Sequence, residues 1–115
     1  MKDFKSIKLS KDERLAIKAA AIMLKTRFSA NEVILFGSKA RGDHDEHSDI
    51  DLLVVASKLL HWREEKAIIG ALFDIGMEYD VIFSPLFTFV DEWGNGIFTE
   101  FPVYQEISRD GAVVL

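Results

Sequence analysis

Cysteine is absent from this sequence, proline occurs only twice, and no apolar run approaches the length of a membrane span. Without cysteine there is no disulfide framework, no thiolate nucleophile and no cysteine–zinc site, a composition that suits a reducing cytoplasm. The richest early apolar stretch, AIKAAAIML, is interrupted by Lys18 and falls far below the ~20 apolar residues that cross a bilayer. The opening MKDFKSIKLSKDERL holds no apolar core of signal-peptide length. We therefore expect a cytoplasmic protein with no membrane partner. Basic charge is also scarce: 14 Lys and Arg stand against 19 Asp and Glu, for a net charge of −5. That balance argues against a surface that grips a nucleic-acid backbone broadly, and leaves room for a local phosphate site. At 115 residues the chain is too short for two cores, so a single domain over 1–115 is expected. An apolar share of 49% beside 29% charged residues is that of a chain that folds.

What is present reads in order. SKDE at Ser10 is a capping-box pattern, and a helix should follow with Leu15, Ala19, Ile22 and Met23 as its buried stripe, ending near Phe28. Val33 to Phe36 is a short β-rich run, a strand covered on both faces and stopped by Gly37. Ile50 to Ala56 is a second buried strand, and HWREEKAIIGALFDIG a helix closed by Gly76. Tyr79 to Phe83 reads as a third strand stopped by Ser84 and Pro85, and PLFTFVDEW leans towards helix. GNG at 94–96 is a turn, Pro102 opens a last helix through Arg109, and Gly111 ends it before AVVL, an edge strand or docked tail. The fold class is α/β (α+β), a small mixed sheet flanked by helices.

The chemistry concentrates in FGSKARGDHDEHSDIDLLVV, where Asp43, Asp45, Glu46, Asp49 and Asp51 crowd nine positions ahead of an apolar strand. Side chains alternate along a strand, so Asp49 and Asp51 share one side while Ile50 turns to the other. Two carboxylates at one place push each other towards protonation, whereas magnesium, which prefers oxygen ligands, holds both ionised. Upstream, Gly37 lets the backbone approach a ligand, and the Ser38 hydroxyl with free amides forms an anion cradle. Arg41, one turn on, is either a planar fork for phosphate oxygens or the partner of a loop carboxylate. Phosphate and metal sites meeting between two strand ends suit a magnesium-bound nucleoside triphosphate.

Gly-Ser, ten residues, then Asp-x-Asp in GSKARGDHDEHSDID resembles the signature of the DNA polymerase beta nucleotidyltransferase superfamily. The small size makes it most similar to the minimal nucleotidyltransferase (MNT) domain, the antitoxin partner of HEPN-domain ribonuclease toxins. The resemblance extends over most of the chain, including YDVIFSP and the tail PVYQEISRDGAVVL. It implies a polymerase-beta-like nucleotidyltransferase fold in which Asp49 and Asp51 bind two Mg2+ ions. It further implies that Asp80 supplies a third metal-binding carboxylate and accepts the proton of the attacking hydroxyl, and that Gly37 and Ser38 hold the β and γ phosphates of ATP. At these positions the chain does not depart from the family pattern. The implied activity is transfer of AMP to a HEPN toxin in a hetero-oligomer, with a tyrosine hydroxyl as acceptor.

Blander readings stand beside these. His44 and His47 match no compact zinc spacing and read, with Asp43, Asp45 and Glu46, as a solvated loop. Trp62, Trp93, Phe87 and Phe89 form either a partner surface or part of the core. Two other functions remain: a non-catalytic antitoxin that masks its toxin by contact, and a small-molecule transferase of the aminoglycoside type, for which the chain offers no acceptor domain.

Overall fold

Two β-rich runs, Ala30–Phe36 (β2) and Ile50–Ala56 (β3), pair antiparallel with Ile34 opposite Leu53 and Phe36 opposite Asp51. In the computed structural model, which describes residues 1–43 and 47–115, this pair is the centre of a five-stranded sheet. Phe83–Phe89 (β4) joins β3 in parallel, Asp51 lying opposite Ser84, and the parallel pairing requires the crossover helix Trp62–Tyr79 (α3). Lys2–Asp3 (β1) and Ala112–Val113 (β5) complete the order β1-β5-β2-β3-β4.

β3 is apolar on both faces because both are covered. Ile50, Leu52 and Val54 meet Lys11–Phe28 (α1) and α3 on one side, with Val33 and Leu35 beside them. Leu53 and Val55, with Ile34, meet Ile107 of Pro102–Asp110 (α4) on the other. Asp51 shares the α4 side with Leu53 and Val55 and is half-buried there.

Local signals hold where backbone groups decide. The Ser10 hydroxyl accepts from the Glu13 amide at 3.1 Å, while Glu13 accepts from the Ser10 amide at 2.8 Å. Pro102 opens α4, and Gly94 sits at φ +86° in the turn before it. Side-chain bulk misleads on α1: Ile17, Ala20, Ala21 and Leu24 face the sheet, and of the expected stripe only Met23 is buried, with Leu15 and Ile22 exposed. Alanine brings the helix backbone closer to the strands than leucine does, so the smaller face packs.

Three boundaries are corrected. α3 runs past Gly76 to Tyr79, and its left-handed cap is Asp80 at φ 57°. Gly76 is needed for close approach instead, since a Cβ there would lie 2.5 Å from the Val81 carbonyl oxygen. The third strand is therefore not Tyr79–Phe83, and Pro85–Phe89 is strand rather than helix. Pro85 is tolerated because β4 is the sheet edge, where a missing amide costs least, and Phe83 and Phe87 alternate inward. Finally, β5 is no edge strand: it sits between β1 and β2.

Candidate functional site

The site begins at the end of β2. Because Phe36 pairs with Asp51, the next residue is carried against the Asp51 carboxylate: a Cβ on Gly37 would lie 2.1 Å from its Oδ2. Gly37 also holds φ +73°, a left-handed value that favours glycine. The chain then turns into the short helix α2 (Gly37–Arg41), whose second residue is Ser38.

Across the ladder, Asp49 precedes β3, Ile50 turns into the α1/α3 core, and Asp51 stands half-buried on the opposite side. Partial burial raises the Asp51 carboxyl above its ordinary value, and the charge of Asp49 raises it further, against a smaller opposing effect of Arg41. Two hard oxygen donors are thus held together with too little positive charge, beside a backbone that only glycine leaves open. That donor set fits magnesium.

Asp80 is placed differently. It is exposed at the cap of α3 and lines a groove with Glu13, His47, Ser48 and Phe83. Among the described residues no three His, Asp or Glu side chains gather as a metal cluster, so Asp80 is not brought into one group with Asp49 and Asp51. The Arg41 guanidinium donates to Asp43 at 3.2 Å and to Glu106 of α4, a pairing compatible with either of its two expected roles. This ties α2 to α4 near Asp51. His44, Asp45 and Glu46 lie outside the described residues. Of the four aromatics, Trp62 is exposed, Phe87 and Phe89 are half-buried, and Trp93 packs edge-on against Tyr104 at 4.7 Å.

Lys39 was invisible in the sequence. It is 1% exposed, and its ammonium donates to the Glu13 carboxylate. Glu13 therefore caps α1 through one oxygen and anchors α2 through the other. The one available signal was a lysine between small residues directly after a buried strand, a place with no solvent to face. Burial pushes the Glu13 carboxyl up, but Lys39 and Ser10 outweigh it and hold it below the ordinary 4.5. A depressed acid stabilises the fold above its unfolded pKa, and that contribution is lost as pH falls through the folded one. We expect unfolding in urea to show falling stability below pH 4.5, with this slope reduced in Glu13→Gln. Lys39→Met, which strands the carboxylate, should cost about 2 kcal/mol near neutral pH. An unchanged slope in Glu13→Gln would refute the assignment.

Residues 17–103 match the family described as Nucleotidyltransferase domain. "Putative protein adenylyltransferase MJ0141" of Methanocaldococcus jannaschii is 38% identical over 72 residues, covering 56% of this chain and 73% of the relative. Its namesake MJ0604 from the same organism is 48% identical over 46 residues, covering 38% and 46%. A solved structure, "Crystal structure of the toxin-antitoxin with AMP-PNP", shares the fold at TM-score 0.60 and 19% identity, over 85% of this chain and 72% of that one. With a glycine turn against Asp51 and a family match across most of its length, the chain belongs to the nucleotidyltransferase domain family.

Proposed function

We propose that this protein is an antitoxin that transfers AMP from ATP to a tyrosine hydroxyl of a cognate HEPN ribonuclease toxin. The observation that carries the reading is the pairing of Asp49 and Asp51 at the mouth of β3, beside a Gly37 whose side chain would occupy the site. The adenylyltransferase names of the two relatives support the reaction class, and the toxin-antitoxin neighbour with its AMP-PNP supports both the nucleotide and the kind of partner. Asp49 and Asp51 would hold magnesium, two ions by the family resemblance, and its charge would offset that of the triphosphate.

Gly37 and Ser38 offer backbone and hydroxyl to the β and γ phosphates. The acceptor oxygen forms a bond to the α-phosphorus, the bond from that phosphorus to the bridging oxygen breaks, and pyrophosphate leaves. The acceptor proton passes to Asp80, which this reading treats as a base at the groove rather than a third ligand. Tyrosine suits such a base, since its solution pKa of ~10 makes it far more acidic than an aliphatic alcohol and it reaches further from its backbone.

Mixing the protein with its cognate toxin, ATP and magnesium should add one or more AMP groups to a toxin tyrosine and silence the ribonuclease, as read by intact-mass spectrometry. A silenced but unmodified toxin would replace this reading with masking by contact. That second reading is favoured by one observation: among the described residues Asp49, Asp51 and Asp80 do not gather into a three-carboxylate cluster.

A further inference from the structure

The outer side of α3 leaves large apolar side chains in solvent. Phe73 is 65% exposed and Met77 70%, with Ile69 one turn before them and Ile82, 66% exposed, just beyond the helix end. Residues 69, 73 and 77 recur every fourth position and form a single ridge. Against that ridge lies a groove of about 760 Å³ between α3 and the start of β4. Its floor is made by Leu72, Val81 and Pro85. At one end it is lined by Ile50, the residue between Asp49 and Asp51, and by Asp80.

The charge beside the ridge is of one sign. Asp74 and Glu78 stand at the same four-residue spacing along its outer flank, and Asp80 follows at the cap. None of the three has an ion-pair partner among the described residues. The last turn carries no basic residue, and the bases Arg63 and Lys66 lie towards the other end of the helix. A helix C-terminus already bears negative partial charge, so Glu78 in the last turn and Asp80 at the cap are unfavourable in the free protein. An apolar ridge edged by charge is the form of a protein-binding surface, and this one has acidic edges. The other aromatic group, Trp93 with Phe98 and Tyr104, packs against itself and offers no comparable surface.

The geometry points to this groove as the docking site for an amphipathic, basic helix of the acceptor protein. Apolar residues of that helix fill the space beside Phe73 and Met77, while its lysines or arginines meet Asp74, Glu78 and the helix end. The occupant is then held beside Asp80 and Ile50 at the start of β3, the strand that carries Asp51 on its other side. The identity of the occupant as the acceptor rests on the proposed transfer; the surface chemistry does not.

The test uses a Leu/Lys amphipathic peptide of about 18 residues, five turns of helix, its Leu/Glu twin, and the cognate toxin. The peptides are titrated by fluorescence anisotropy and the toxin by calorimetry without ATP. The Leu/Lys peptide should bind and its twin should not. Phe73→Ser with Met77→Ser should weaken both peptide and toxin at least tenfold. Asp74→Lys with Glu78→Lys should do the same at low salt, and less at high salt. ATP binding should be unchanged in both variants. Equal affinity for the two peptides, or unaltered toxin affinity in the serine variant, overturns the inference. So does a parent dimer in sedimentation that the serine variant abolishes, which would assign the face to a second copy. Docking through α3 without AMP transfer would leave this inference standing and remove the enzymatic reading, whereas undiminished transfer by the serine variant would do the reverse.

Discussion

Asp51→Asn is expected to lose nucleotidyl transfer by on the order of a thousandfold, about 4 kcal/mol of transition-state stabilisation, while the fold is kept. The loss follows because Asp51 is the half-buried member of the carboxylate pair, held against Gly37, and an amide in its place binds a divalent cation poorly. Stability moves the other way. A folded carboxyl raised above its ordinary 3.8 favours the folded state most at low pH, and the advantage disappears as pH rises through the raised value. At neutral pH the ionised, partly desolvated group beside Asp49 is therefore a cost that asparagine removes. Without magnesium, Asp51→Asn should unfold at a urea concentration no lower than the parent at pH 7, the gain vanishing near pH 3. Magnesium should stabilise the parent more than the variant. Turnover at the parent's rate would eliminate Asp51 from the chemistry.

Gly37→Ala should be nearly as damaging to activity and should also harm the fold. Alanine at φ +73° costs about 1–2 kcal/mol from the left-handed backbone alone. Its Cβ, 2.1 Å from Asp51 Oδ2, then forces the carboxylate aside. Misplacing a catalytic group by about 1 Å can cost on the order of a hundredfold in rate. Gly42 provides the control, because it holds φ +83° and, among the described residues, nothing lies within 4 Å of where its Cβ would be. Gly42→Ala should show a similar loss in thermal stability and little loss of transfer. Equal losses of transfer in the two variants would mean that contact with Asp51 is not the cause.

These expectations depend on parts of the molecule that the sequence exposes unevenly. The strand Ile50–Ala56 was readable to the residue, because burial on both faces leaves an uninterrupted apolar run, and the Ser10 cap because it is a local exchange of hydrogen bonds. Gly37, Ser38, Asp49 and Asp51 stood out because rigid spacing in known strand contexts is a strong local pattern. The packing face of α1 was not readable, since it depends on how closely the helix lies on the sheet, a property of the partner surface. The end of α3 was misplaced because Gly76 has two uses, cap and close contact, and only the neighbouring Val81 carbonyl distinguishes them. β4 was hidden by Pro85, whose meaning depends on whether a strand is central or at the edge. The Lys39–Glu13 pair joins residues 26 apart, and nothing local in either stretch announces the other.

The strand order also has a bearing on folding kinetics. β2 and β3 are neighbours in sequence as well as in space, so their pairing closes a comparatively short loop, and that loop is the segment running from Gly37 to Asp49. β5, by contrast, must enter between β1 and β2 from the far end of the chain, a contact of high sequence separation and high closure entropy. The glycine turn and the Asp51 carboxylate are thus brought face to face by a pairing whose closure entropy is small beside that of β5. Lengthening that loop should therefore slow the pairing of β2 with β3, while the Phe36–Asp51 register keeps the two halves of the site together.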